Sequence, residues 1–334
     1  MRPLTFHLQY EEAEDMEVEY LQAELTADER ESRPPIVLAL GYFDGVHEGH
    51  QKVIRTAIAE AEKRDVEAAV LTFHPHPRTV LSKDYEGTDY PELTPLPVKE
   101  SRIRELGVHR LIVVTFDKTL SSLSPQQFVD GYILPLHVVH AVAGFDFSYG
   151  QYGKGNMETL PSHAHGKFAT TAVTKWEREG EKVSSTRIRQ HIESGELEQA
   201  SYLLKRPHTV YGVVVEGDKR GREMGFPTAN IALDDTYVLP PIGVFCAYVQ
   251  IDGTDYPAVC SFGYRPTFHD RQPEPLIEAH LLSFHETIYG KRVQMKWLTM
   301  LRPEIKFDST DALVTQMETD KRAAYRYFEI IPGL

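Results

Sequence analysis

The sequence predicts a molecule of class α/β plus β. Its first half is a parallel sheet with helices between the strands, and its second half is a small six-stranded antiparallel β-barrel with a terminal helix. Three observations carry this. Between Ile36 and Trp176, five apolar runs alternate with helical patterns. Beyond Pro207, short strands follow one another through turns with no helix between them. And 334 residues are more than one ordinary core organises.

Taken in order, Pro3 to Tyr10 is a strand candidate, and the acidic run from Glu11 to Glu31 reads as a solvated surface helix or a mobile segment. Ile36-Val37-Leu38-Ala39-Leu40 is apolar at every position, as a strand buried on both faces must be. Gln51 to Arg64 carries Val53, Ile54, Ala57, Ile58 and Ala61 on one face and reads as an amphipathic helix. Ala68 to Phe73, Arg110 to Phe116, His140 to Phe147 and Thr170 to Trp176 supply the other strands, and Ser124-Pro125 caps a helix through Phe128 and Tyr132. Helices between successive strands imply right-handed parallel crossovers, so this half is Rossmann-like. It lacks Gly-x-Gly-x-x-Gly and Walker A patterns, which weighs against dehydrogenases and P-loop kinases. A helix after Val183 ends near Gly195, a shorter one spans Glu196 to Leu204, and the pattern changes at Lys205-Arg206-Pro207. The expected domains are therefore 1–205, including the acidic segment and the linker helix, and 206–334.

In the second half, Val210 to Glu216, Gly243 to Ile251, Tyr256 to Phe262, Ile277 to Phe284 and Val293 to Met300 read as strands, and Ser309 to about Phe328 as a helix. Asp252-Gly253 is a strong hairpin turn. Cys246 and Cys260 flank it at similar distances and are expected to face each other across two strands as buried thiols, with no disulfide framework.

Composition narrows the function. A net charge of −13 argues against general nucleic-acid binding and requires any phosphate site to be built locally. With 41% apolar residues, no run near the length of a membrane span and no basic-then-apolar leader, a cytoplasmic protein is expected.

The densest chemistry lies in Gly41-Tyr42-Phe43-Asp44-Gly45-Val46-His47-Glu48-Gly49-His50. It joins a buried strand to a helix, the place where open α/β sheets bind ligands. Glycines let the backbone approach a phosphate, and the helix N-terminus offers unpaired N–H groups. His47 and His50 are three residues apart and so can share a face toward one anion; zinc proteases space their histidines by four. Thr72-Phe73-His74-Pro75-His76-Pro77 is either a second part of that site or a rigid structural loop. Val183-Ser184-Ser185-Thr186-Arg187-Ile188-Arg189 places hydroxyls and arginines at a helix start, where cations are favourable only beside an anion. In the second half, the interrupted basic loop Gly217-Asp218-Lys219-Arg220-Gly221-Arg222, followed by Gly225-Phe226-Pro227-Thr228-Ala229-Asn230, suits a phosphate or is a plain basic turn.

The first motif resembles the Gly-x-Phe-Asp-Gly-x-His-x-Gly-His signature of nucleotidylyltransferases, with Tyr42 where many members have Asn. Taken with the others in order, it is similar to the prokaryotic bifunctional riboflavin kinase/FAD synthetases. That resemblance implies an N-terminal FMN adenylyltransferase module and a C-terminal riboflavin kinase module. Their substrates and products would be riboflavin, FMN, FAD, ATP, ADP and pyrophosphate, with Mg²⁺ as cofactor. It implies that His47, His50 and Arg189 act on the adenylyl transfer, with Gly41, Phe43, Asp44, Gly45, Gly49, Ser184, Ser185 and Thr186 holding ATP phosphates. His76, Asp146 and Phe147 would contact nucleotide and flavin, the last two within Gly144-Phe145-Asp146-Phe147-Ser148-Tyr149-Gly150.

In the kinase module the resemblance makes Glu278 the base. Thr228 and Asn230 would hold Mg²⁺ and phosphates, and Gly217, Lys219, Gly221, Arg222, Gly225, Pro227 and Arg302 would line the ATP and flavin site. The chain departs from the family pattern at Gly153, where a basic residue is common, at Lys205 in place of Gly, at Ser283 in place of Asp, and at Ser261-Phe262 in place of Asn-Ile. An enzyme with one live module and a non-catalytic flavin-sensing regulator are the alternatives.

Overall fold

The computed structural model describes residues 16–22, 25, 32–217, 225–264 and 275–330; the Pro3 to Tyr10 strand candidate lies outside them. By contacts the chain forms two compact units that divide between Ser185 and Thr186.

The first unit is built on six parallel strands: β1 (Glu17–Leu21), β2 (Ile36–Leu40), β3 (Glu67–His74), β4 (Arg110–Thr115), β5 (Val138–Gly144) and β6 (Ala169–Val173). Their spatial order is β1-β4-β3-β2-β5-β6. Every residue of β2 is buried: Ile36, Leu38 and Leu40 enter the core on one face, Val37 and Ala39 the core on the other. Helix α1 (Glu48–Glu62) packs Val53, Ile54, Ala57 and Ala61 on that second face. Ile54 is wholly buried and alone contributes on the order of 2 kcal/mol. From β2 the chain winds outward through β3 to β4 and returns to β5 on the other side of β2. The order reverses there, and the carboxyl ends of β2 and β5 form the switch-point crevice.

Within the run from Glu11 to Glu31, strand β1 corrects the reading as a helix or a mobile segment for Glu17–Leu21, and most of the rest lies outside the described residues. Leu21 is buried and Val18 packs against the core, while Glu17 pairs with Arg110 and Glu19 with Arg33. Arginines distant in the sequence balance the acidic face of this edge strand, and charge on an edge also discourages pairing with another chain.

The second unit holds a closed antiparallel barrel. Its strands are β7 (His208–Val215), β8 (Ala229–Leu233), β9 (Gly243–Ile251), β10 (Thr254–Tyr264), β11 (Pro275–Leu281) and β12 (Arg292–Pro303), in the order β7-β8-β11-β10-β9-β12. Its interior is wholly buried at Phe245, Ala247, Cys260, Ile277, Ala279 and Trp297, with the Phe245 and Trp297 rings edge to face at 4.9 Å. Strand β8 is the one that hydrophobic pattern did not reveal, because it begins inside the Pro227-Thr228-Ala229-Asn230 stretch and Asn disfavours strands.

Asp252 and Gly253 form the expected two-residue hairpin, both with positive φ (50° and 84°). The cysteines do not face each other, however. The register pairs Phe245 with Cys260 and Cys246 with Val259, and a one-residue offset puts the two thiols on opposite faces. Both are free and buried; Cys260 points into the barrel and Cys246 lies under the terminal helix with Leu282, Ala324 and Phe328. Burial pushes the Cys246 thiol up to about 12.

Three helices complete this part of the chain. α2 (Ser185–Glu193) starts at the last residue of the first unit, α3 (Leu197–Leu204) packs on β12 and β7, and α4 (Thr310–Ile330) lies across β9, β10 and β12. No helix among the described residues is long and apolar enough to cross a membrane.

Candidate active sites

Beyond β2, the chain is held in a turn of unusual conformation. Phe43 (φ 58°), Gly45 (85°) and Val46 (41°) all lie in the left-handed region, and for β-branched Val46 that is stored strain. Its restraints are specific. The buried Asp44 carboxylate accepts from the backbone N–H of Leu93 (2.9 Å) and of Thr94 (3.0 Å), and Gly45 N donates to Thr94 Oγ1 (2.8 Å). Phe43 and Val46 are buried in the core. Asp44 therefore braces the turn from within.

His47 caps α1, its Nδ1 accepting from His50 N at 3.3 Å, and the two imidazoles stack with centroids 3.6 Å apart. Phe43 meets His50 edge-on at 5.4 Å. A Cβ on Gly41 would lie 2.8 Å from the Phe43 ring, and one on Gly49 would lie 3.1 Å from the His47 ring. Burial first, then the positive charge of His47, Lys99 and Lys182, holds the His50 pKa well below the ordinary imidazole value. His50 is thus a neutral imidazole at neutral pH. Glu48, which would repel an anion at this helix start, is neutralised by Arg178 through bonds of 2.8 and 2.9 Å, and Trp176 Nε1 donates to it at 3.2 Å.

The neighbouring strand ends contribute the other expected residues. After β3, His76 caps the short helix Pro77–Leu81, its Nδ1 accepting from Arg78 N at 2.9 Å, with its ring 4.3 Å from that of Tyr42. After β5, Asp146 pairs with Lys182, Phe147 packs on the core, and Lys182 Nζ lies 5.0 Å from the Phe145 ring. Lys182 was missed in the sequence; its signal was a basic residue just ahead of Val183-Ser184. At the departure from the family pattern, Gly153 takes φ 62° and Lys154 sits 5.8 Å from the Tyr152 ring. Ser185 donates its hydroxyl to Asp44 O at 2.8 Å. So the Gly41–His50 turn, His76 and Asp146 stand at the ends of three adjacent strands, β3, β2 and β5. Thr186 and Arg189 follow in α2, within the second unit.

In the barrel, Asn230 on β8 stands directly across from Glu278 on β11, which stands across from Ser261 on β10. Opposed residues share a face, so the three form one row. A Cβ on Gly217 would fall 2.1 Å from Asn230 Nδ2, so any other residue there must displace the asparagine amide. His280, on the same side as Glu278, donates from Nδ1 to Pro227 O at 2.9 Å and meets the buried Phe226 ring at 5.5 Å, fixing the turn ahead of Thr228. Burial lowers the His280 pKa against the opposing pull of that bond. Gly225 takes φ 82°. Arg302 turns its guanidinium onto Asp320 of α4 through bonds of 2.8 and 3.0 Å. Lys219, Gly221 and Arg222 lie outside the described residues.

The two candidate sites are thus a crevice at the switch point of one sheet and the row of Asn230, Glu278 and Ser261 on a barrel. Comparison with known proteins makes this specific. The FAD synthetase family profile matches residues 29–187 and the riboflavin kinase profile matches residues 204–328. A bifunctional riboflavin kinase/FMN adenylyltransferase of Bacillus subtilis (strain 168) is 47% identical over 300 residues, 90% of this chain and 94% of that one. One from Listeria monocytogenes is 44% identical over 313 residues, covering 94% and 98%. A crystal structure described as a macrolide-efflux protein from Streptococcus pneumoniae has a TM-score of 0.82 at 33% identity, covering 92% of this chain and 98% of that one. The chain belongs to the bifunctional riboflavin kinase/FMN adenylyltransferase family, and it carries one domain for each activity.

Proposed function

We propose that the two activities use the two residue sets described above, with the functional modules meeting near residue 205. What carries the reading is that the sets stand on separate sheets, one at the switch point of the parallel sheet and one across three strands of the barrel. In the kinase module, Glu278 takes the proton of the riboflavin 5′-hydroxyl as that oxygen bonds to the γ-phosphorus of ATP. The β–γ bridging oxygen leaves with ADP, and FMN is formed. Thr228 and Asn230 offer neutral hard oxygens, which suit a Mg²⁺ ion bound mainly by phosphates; they would hold it, and it would supply charge neutralisation at those phosphates.

In the adenylyltransferase module, a phosphate oxygen of FMN bonds to the α-phosphorus of a second ATP. The α–β bridging oxygen leaves with pyrophosphate, and FAD forms with no covalent enzyme intermediate. The nucleophile is already ionised, so no strong base is required. His47 and His50 donate hydrogen bonds to the developing pyrophosphate, and Arg189, by the family resemblance, acts in the same half-reaction. A pKa held well below the ordinary imidazole value makes His50 a weak base, which suits donation of a hydrogen bond from its neutral ring. Composition supports a cytoplasmic location for this chemistry.

The test is to assay each half-reaction separately in His50→Ala and Arg189→Ala. Both should lose FMN-to-FAD conversion by about 10²-fold while retaining riboflavin phosphorylation. Equal loss of both reactions would sink the division.

A further inference from the structure

Lys99 is only 1% exposed, yet its immediate neighbours in the helix Leu96–Arg104 are ordinary core residues such as Leu96, Val98 and Ile103. A cation buried among them is costly unless something binds it closely. Its Nζ lies 3.3 Å from Glu92 Oε2, longer than a charge-assisted bond prefers, and 3.7 Å from the centroid of the Tyr42 ring. The lysine is thus held by a carboxylate and by an aromatic face together, and desolvation strengthens both contacts. Burial raises the Glu92 pKa against the opposing pull of Lys99 and of the Tyr42 hydroxyl.

Tyr42 does not end the chain of contacts. Its ring meets His76 edge-on at 4.3 Å, and His76 packs on Tyr90 at 4.2 Å. Tyr90 in turn receives a hydrogen bond from Arg78 Nη1 at 3.1 Å, with that guanidinium 5.2 Å from its centroid. Three rings in edge-on and tilted contact thus run between two cations. The column ties the turn after β2 to the loop after β3.

We propose that Lys99 is a positioning residue for ATP in adenylyl transfer, acting through Tyr42 to hold the His76 loop in place beside the His47 and His50 turn. The inference rests on the adenylyltransferase site assigned above. It also makes sense of tyrosine at position 42, because a smaller polar side chain there would leave the lysine without its ring.

Steady-state kinetics of FMN adenylylation test it. Lys99→Met should raise KM for ATP about tenfold, the scale of one desolvated cation–π contact, with kcat within about threefold and KM for FMN unchanged. Tyr42→Phe, which keeps the ring and loses only the hydroxyl bonded to Glu92, should stay closer to the parent than Tyr42→Asn, Tyr42→Asn should match Lys99→Met, and the double variant should be no worse than either. An unchanged KM for ATP in Lys99→Met overturns the inference, as does a parallel rise in both KM values, which would mean general loosening of the module. If Lys99→Met does not fold, Tyr42→Phe against Tyr42→Asn decides, and equal damage by the two overturns it. If His50→Ala also leaves adenylylation intact, the site assignment itself is wrong. With His50→Ala inactive and Lys99→Met normal, only the role of Lys99 falls.

Discussion

Gly217→Ala should disable riboflavin phosphorylation, and the size of the effect follows from one distance. The new methyl carbon would stand 2.1 Å from Asn230 Nδ2, against about 3.5 Å for ordinary contact. Asn230 is buried and set in the β8–β11 ladder opposite Glu278, so its side chain, not its backbone, must give way. If the amide swings out, it loses its proposed bond to a charged phosphate or to the metal. Hydrogen bonds to charged groups contribute about 1.5–3 kcal/mol, which corresponds to a fall of roughly 10- to 150-fold in kcat/KM. Initial rates of FMN formation from riboflavin and Mg·ATP measure this, with FMN-to-FAD conversion in the same preparation as the control. Full kinase activity in Gly217→Ala would refute the reasoning, since it would mean that Asn230 can vacate its place without consequence.

Two further predictions concern stability. Lys205 adopts a left-handed conformation (φ 60°) at the C-cap of α3, where the family has glycine, and Lys205→Gly should raise stability by about 1 kcal/mol in thermal or urea unfolding; a loss would show that its contact with Tyr202, 4.7 Å from Nζ to centroid, outweighs the backbone strain. His50 and His140 both have pKa values depressed below the ordinary imidazole value, chiefly by burial. The unfolded chain therefore takes up protons first, so their contribution is intact above about pH 6.5 and lost as the pH falls below it. Urea midpoints should drop between pH 7.5 and 5.5, and less steeply in His140→Asn; an identical slope in that variant would contradict the assignment.

Much of the fold was legible because periodicity reports burial directly. Ile36–Leu40 could only be a strand covered on both faces, and the stripe from Val53 to Ala61 could only face a core. Features that depend on distant partners were not legible. The Glu17–Leu21 strand is acidic in composition and becomes an edge strand only through Arg33 and Arg110. The cysteines missed each other by a single residue of register, which no spacing argument resolves. In the sites, the strand-to-helix motif put His47 and His50 at the start of one helix, and the family resemblance singled out Asn230 and Glu278, which the register sets opposite each other. Neither separated residues aimed at substrate from those that brace the turn: Asp44 spends its carboxylate on the backbone of Leu93 and Thr94. Lys99 lies in no motif of the sequence, and its burial appears only in three dimensions. Ser283 lies at φ 56°, a conformation that Asp adopts more readily, which gives the family's preference there a backbone reason.

The division of two reactions between two sites is tested most directly with Glu278→Gln. Riboflavin and Mg·ATP, followed by chromatography, should yield almost no FMN and therefore no FAD, while FMN supplied to the same preparation should still be converted to FAD and pyrophosphate at close to the parent rate. Loss of both conversions, or FMN formation at the parent rate, would contradict it.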